Sequence, residues 1–322
     1  MIEAVRFVRG AVAKKDYIAE LTHFLIENGR ITGFNGIMAL SSPIDIDLNA
    51  RPKATTFANA LNKCEDTITM HMTKAGRLSI GSGKFRALVD CVDNDVALTP
   101  VVPEGWEIDV GPKFMDAIRA TAKYQGVDAS RPWAMGLLFT GQSVMATNNV
   151  VFVEYWHGHM MPFDMIIPTV AVNELLRINQ DPVRVTATAN SITFHFADDR
   201  WLRTQLVSTG WPEKATTLLD RGFDYKPVPP DLFEGLQAVK PFLDKDGRVH
   251  FLGDELSTSQ VAEIGAHYQV DGLPKGHCYA FKVLELLEGA TAIDFDPFPQ
   301  PCGFLADGMR GMFLGMRIGV QA

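Results

Sequence analysis

Apolar and polar positions along this chain fall into blocks, and the same order of blocks occurs three times at intervals of about a third of its length. One block reads HFLIENGRITGFNG (His23 to Gly36), the next GLLFTGQSVMATNN (Gly136 to Asn149) and the last PFLDKDGRVHFLGD (Pro241 to Asp254). Each is a short apolar run, a turn closed by glycine (Asn28-Gly29, Thr140-Gly141, Asp246-Gly247) and a second run. Glycine accepts the positive φ of a tight turn, so the pattern predicts a β-hairpin in each.

Helical spacing precedes every hairpin. Val5, Val8 and Val12 share a face with Arg6 and Arg9 off it; Phe114, Ile118 and Ala122 are apolar while Asp116, Arg119 and Lys123 share another face. Leu232, Leu236 and Val239 form the third stripe, behind Pro229-Pro230 and with Asp231 placed as an N-cap. Second helices are predicted over 55–64, 169–178 and 278–289. Period-two runs come next at 68–72, 183–187 and 292–295, then 77–80 and 191–196, with closing runs at 85–89, 202–207 and 312–316. Each repeat therefore reads as helix, hairpin, strand, helix and antiparallel meander, an α+β module used three times. The proline and glycine clusters Thr99-Pro100-Val101-Val102-Pro103-Glu104-Gly105 and Tyr225-Lys226-Pro227-Val228-Pro229-Pro230 read as linkers. They divide the chain into modules at 1–104, 105–225 and 226–322, each near the usual size of a domain.

Composition narrows the function class. With 322 residues, 47% hydrophobic and 21% charged, the chain has the make-up of a soluble globular protein. No apolar run reaches the ~18–20 residues that span a bilayer, and MIEAVRFVRGAVAKKD lacks the features of a signal peptide. A cytoplasmic location and no membrane partner are the expectation. Cys64, Cys91, Cys278 and Cys302 lie far apart without CxxC spacing, which argues against a zinc ribbon or disulfide scaffold and for buried or incidental thiols. A net charge of −8 counts against a tight nucleic-acid binder. It leaves room for a protein acidic outside and basic along one surface.

Several strings, in order along nearly the whole chain, resemble the bacterial sliding clamp, the β subunit of DNA polymerase III. Arg77-Leu78-Ser79-Ile80-Gly81-Ser82-Gly83-Lys84 resembles the family's L-x-V-x-S-G-R hairpin, and Val144-Met145-Ala146-Thr147-Asn148-Asn149 its V-A-T-D-G strand and turn. Ile166-Ile167-Pro168 followed by Val172-Asn173-Glu174-Leu175-Leu176-Arg177 is similar to V-P-x-x-x-V-x-E-L. Trp211-Pro212-Glu213 is similar to F-P-D, and Leu314-Gly315-Met316-Arg317-Ile318 to the tail M-P-M-R-L. The resemblance implies three tandem clamp modules per chain. Two chains then close head to tail as a ring-forming homodimer, with two helices of each module lining the hole. A bacteriophage clamp or a divergent bacterial one fits the length and the few identities.

The family's function comes with the resemblance: a processivity factor for DNA replication, without enzymatic activity or cofactor. It encircles duplex DNA independently of sequence and tethers polymerase and clamp-loader peptides. Its DNA-facing positions map here onto Arg6, Arg9, Lys14, Lys15, Lys63, Arg119, Lys123, Arg177, Lys240 and Lys282. Arg131 and Trp133 fall in a segment that touches DNA in the family; buried core suits Trp133 equally well. The peptide pocket maps onto Ala134, Thr147, Asn149, Val151, Phe152, Pro212, Leu218, Met312, Leu314, Gly315, Met316 and Arg317. Two departures stand out: the family's G-H-R is Asn149-Val150-Val151, and the tail proline is Gly315. They imply a different peptide or a polymerase tethered elsewhere.

Other readings have less behind them. His157-Gly158-His159 has metal-ligand spacing without a matching carboxylate or cysteine. Gly81-Ser82-Gly83-Lys84 lacks the full phosphate-loop spacing and precedes a strand pattern. His23, His71, His195, His250, His267 and His277 are scattered and form no nucleophile–base set. The alternatives are a tandem-module binding scaffold that closes no ring, and a metal enzyme centred on His157 and His159.

Overall fold

The computed structural model describes residues 1–15, 18–65, 67–93, 101–212, 215, 217–261 and 263–317. Thr99 and Pro100 of the first linker, Glu213 and Ile318 lie outside the described residues.

Residues with apolar spacing of three and four fold as α1 (Ile2–Val8), α2 (Ala54–Leu61), α3 (Phe114–Thr121), α4 (Thr169–Ile178), α5 (Leu232–Val239) and α6 (Phe281–Leu286). In α3 the buried stripe is Phe114, Met115, Ala117, Ile118 and Thr121, while Asp116 and Arg119 face solvent. The Thr121 hydroxyl donates back to the Ala117 carbonyl at 2.7 Å, which satisfies the one polar group in that stripe.

The chain forms two compact units, each discontinuous in sequence: 1–110 with 170–207, and 111–169 with 208–322. The main sheet of the first is antiparallel throughout, in the order Leu25–Glu27, Arg30–Phe34, Met38–Pro43, Arg200–Gln205, Ser191–Phe196, Arg184–Ala187, Trp106–Ile108. Its middle joint pairs Met38 with Thr204 and Ser41 with Trp201. Helix α1 lies directly on this sheet at Gly33, where a Cβ would come within 2.7 Å of the Val8 carbonyl oxygen. A three-stranded sheet, Thr69–Met72, Leu78–Ser82 and Phe85–Val89, completes the unit.

The second unit repeats the construction. Its larger sheet runs Met165–Pro168, Gly136–Thr140, Ser143–Thr147, Val151–Trp156, Met309–Phe313, Cys302–Ala306, Ala290–Asp294, Lys226–Pro227. The joint between Val151–Trp156 and Met309–Phe313 pairs Val151 with Phe313 and Tyr155 with Met309. A four-stranded sheet has the order His267–Gln269, Glu255–Ser257, Arg248–Leu252, Lys275–Ala280. The second proline cluster enters structure at the edge of the larger sheet, where a missing N–H is tolerated.

Local structure departs from the sequence pattern in five places. The third hairpin does not turn at Asp246-Gly247: Lys240–Phe242 is a 3-10 turn, and the hairpin turns at Gly253-Asp254, joining Arg248–Leu252 to Glu255–Ser257. Pro241 cannot serve as a strand donor, and the Asp244 carboxylate accepts the N–H groups of Asp246 and Arg248, so this loop starts the strand instead. Residues 278–280 extend the strand Lys275–Ala280, and the helix begins only at Phe281. Val12 lies beyond α1, because the chain tightens into a 3-10 turn at Arg9–Ala11 and then extends. Asp231 occupies the N-cap position of α5 but makes no side-chain capping bond. The closing strand of the C-terminal meander is Met309–Phe313, not 312–316, because its partners in both neighbouring strands end opposite Phe313.

The core of the four-stranded region is aromatic. Phe251 is fully buried, with its ring centroid 5.1 Å from Tyr279 and 5.3 Å from Phe295 in an edge-on arrangement. Phe251→Ala should cost about 3–5 kcal/mol of stability, seen as a lower urea midpoint at unchanged slope. A loss under about 1 kcal/mol would show that this cluster closes over the void.

Candidate functional site

The expected DNA-facing residues sit mostly at helix ends and on helix surfaces, and they fall into two kinds. Arg6 pairs with Glu3 at 2.5 Å, Arg119 with Asp116 at 2.8 Å and Lys240 with Glu285 at 2.8 Å. Such exposed pairs are worth about 0–1 kcal/mol, so each cation can exchange its partner. Arg9, Lys14, Lys15, Lys63 and Lys282 are exposed and have no ion-pair partner among the described residues.

Two further cations are held by the protein. Arg177 pairs with Glu174 at 2.5 Å and donates to the carbonyl oxygens of Arg6 at 3.2 Å and Phe7 at 2.7 Å. It thereby satisfies the last turn of α1, whose carbonyls have no helical partner. Gly10 makes the close approach possible, since a Cβ there would strike the Glu174 carboxylate. Lys123 donates to the Glu288 carbonyl at 3.4 Å and lies 5.1 Å from the Tyr124 ring centre. Burial lowers its pKa, and the Glu288 charge opposes that shift.

The expected peptide residues converge more closely. A groove of about 240 Å³ in the second unit is lined by Thr147, Asn149, Val151, Phe152, Leu218, Met312 and Leu314 from the expected set. That volume falls below the roughly 300–1,000 Å³ of small-molecule sites and suits one or two large side chains. Antiparallel pairing of Val151–Trp156 with Met309–Phe313 builds its floor, bringing Phe152 beside Met312. Leu314 is held at the mouth by its N–H, which donates to the Val150 carbonyl at 2.9 Å.

Arg131 and Trp133, expected against DNA, also line this groove. Trp133 packs edge-on against Trp211 at 5.1 Å, and Trp211 in turn lies 6.0 Å from Phe152. The remaining expected residues stand apart from the lining. Ala134 is buried, Pro212 and Arg317 are exposed, and the Met316 N–H donates to the Cys278 carbonyl at 2.8 Å. Gly315 lies against Phe298 and Tyr279, where a Cβ would meet the Phe298 ring at 2.4 Å. Val150, Ala215, Pro301 and Phe313 line the groove without having been expected. The alternation around Phe152 and Met312 carried a signal for Phe313, as the residue paired with Val151. Pro301 lies on a loop and had none, and Ala215 had none either.

The sites weighed against these are ordinary structure. His157 is buried beside the Phe139 ring, with no hydrogen-bond partner on either nitrogen among the described residues. Burial, then the charge of His159, lowers its pKa. Gly83 lies in the turn joining Leu78–Ser82 to Phe85–Val89, so a strand comes where a phosphate loop needs a helix. Among the described residues no three His, Cys, Asp or Glu side chains are grouped to hold a metal ion, and no helix is long and apolar enough to cross a membrane.

No family model matches the chain. No curated protein matches it either. Solved structures do. A DNA polymerase III subunit beta sliding clamp from Bartonella birtlesii, bound to griselimycin, has a TM-score of 0.82 at 14% identity, covering 98% of this chain and 97% of that one. A DNA polymerase III beta chain from Streptococcus pneumoniae gives 0.81 at 15% identity, with 98% and 97% covered. The DNA polymerase sliding clamp of Bacillus subtilis gives 0.79 at 16%, with 99% and 97% covered. From end to end, the fold of this chain is that of the DNA polymerase III β-subunit sliding clamps.

Proposed function

We propose that this protein is a DNA sliding clamp, a non-enzymatic processivity factor for replication. In this reading two chains close head to tail around duplex DNA and tether a polymerase through the groove of Phe152, Met312 and Leu314. The fold supports it, and one observation carries it: a strand joint made twice within the chain and left open at both ends.

In the proposed modules 1–104, 105–225 and 226–322, the third strand after the leading helix pairs with the last strand of the next module. Met38–Pro43 pairs with Arg200–Gln205, and Val151–Trp156 with Met309–Phe313. The same position in the third module is His267–Gln269, an edge of its sheet, and the last strand of the first module is Phe85–Val89, also an edge. Unpaired edges of this kind invite pairing with another chain. A third joint of the same geometry, between His267–Gln269 of one copy and Phe85–Val89 of another, turns a head-to-tail contact into a closed ring. Charge favours it: Lys84 and Arg86 are exposed at one edge, while Glu263 and Asp271 are exposed near the other.

The electrostatics suit sliding. A chain of net charge −8 repels DNA at long range. Arg9, Lys14, Lys15, Lys63 and Lys282, with Arg6, Arg119 and Lys240 in exchangeable pairs, supply short-range phosphate contact without base readout. Arg177 is already bound to α1 and adds least. Retention then rests on topology, and tethering raises the local concentration of a bound polymerase.

Light scattering should give twice the 35.5 kDa chain mass, and the edge variant combining Arg86→Glu with Leu88→Glu should run as a single chain with its fold intact. An unchanged mass in that variant rules this edge out as the closing one. Loaded protein should stay on nicked circular DNA and leave within seconds to minutes once a restriction enzyme opens the circle. Equal retention on circular and linear DNA contradicts encirclement and favours an open binding scaffold.

A further inference from the structure

With the groove taken as a peptide site, the reading on which this inference rests, its one polar end gives it a chemistry beyond that of a generic apolar slot. Arg131 stands at that end, and its Nη1 donates to the Asn149 Oδ1 at 2.7 Å. Asn149 is placed by a fully wired turn. Its N–H donates to the Thr147 hydroxyl at 3.0 Å, and that hydroxyl donates to the Val151 carbonyl at 2.7 Å. The Asn148 Oδ1 accepts the N–H groups of Val150 at 3.1 Å and Val151 at 2.8 Å. The turn holds Asn149 at a φ of 74°, a left-handed conformation that asparagine tolerates better than most residues.

An amide oxygen orients the guanidinium without neutralising it. Among the described residues only one of its five N–H donors is engaged and no carboxylate lines the groove. Asp128 is close enough to feel the Arg131 charge. Its carboxylate accepts the Ser130 N–H at 2.9 Å, within its own loop. Beside this cation lies an apolar bed of Val151, Phe152, Met312 and Leu314.

We propose that the groove selects an acidic apolar peptide, one whose large apolar side chain fills the bed while a neighbouring carboxylate pairs with the Arg131 guanidinium. Arg131 presents its remaining N–H groups in the planar fork that matches a carboxylate. A phosphodiester backbone would satisfy the cation and leave the apolar bed uncovered, so the combination points to peptide over DNA.

The test uses the full chain and two peptides, acetyl-Leu-Phe-Asp-Gly-amide and its Asn counterpart, with binding read from the fluorescence of Trp133 and its neighbour Trp211. The Asp peptide should bind about tenfold more tightly, the effect of one charge-assisted pair at a partly exposed site. In Arg131→Gln that preference should fall to about twofold or less while the Asn peptide keeps its affinity. Equal binding of the two peptides to the unmodified protein, or a preference that survives in Arg131→Gln, overturns the proposal and leaves the groove standing. Binding of neither peptide, or Asn-peptide binding unaffected by Leu314→Asp, removes the groove reading and the proposal with it. If Arg131→Gln weakens contact with duplex DNA and leaves both peptides unaffected, Arg131 is a phosphate ligand and the proposal fails.

Discussion

Backbone hydrogen bonding at the sheet edges governs how this chain is assembled. A strand at a sheet edge carries unpaired N–H and C=O groups, and the molecule covers them by pairing Met38–Pro43 with Arg200–Gln205 and Val151–Trp156 with Met309–Phe313. These two joints tie segments more than a hundred residues apart into single sheets, which is why the compact units are discontinuous while the repeat runs in order along the sequence. The groove depends on one of these joints as well. Its floor exists because Phe152 and Met312 face each other across it.

Charge and packing divide the remaining work. Exposed lysines and arginines, several of them in exchangeable pairs, can attract phosphate only weakly, which is what the proposed sliding on DNA requires. Where the protein needs fixed geometry it uses directional bonds: Arg177 on the end of α1, and the wired turn that aims Asn149 at Arg131. Deep burial is left to aromatic clusters such as Phe251, Tyr279 and Phe295, which carry no charge and hold the four-stranded sheet.

Much of this was legible in the residues. The spacing of Val172, Leu175 and their neighbours gave α4 its bounds, Thr169–Ile178, and period-two alternation gave Ser191–Phe196 and Phe85–Val89. Asp246-Gly247 has the composition of a hairpin turn, yet the third hairpin turns at Gly253-Asp254. Only the Asp244 side-chain bonds and the 3-10 turn at Pro241 show that Asp246-Gly247 starts a strand. Cys278–Ala280 looked helical because its apolar residues run into Phe281; pairing with Arg248–His250 decided for strand. At the groove, Phe152, Met312 and Leu314 came from the resemblance. Pro301 depends on where a loop passes and Ala215 on which segments meet, neither of which local pattern encodes, and the resemblance puts Arg131 and Trp133 against DNA instead.

The most direct measurement of the central claim is negative-stain electron microscopy of the purified protein at micromolar concentration. The account predicts closed rings of six similar lobes around a hole wide enough for duplex DNA, two chains to a ring. Isolated three-lobed crescents with no rings would contradict it.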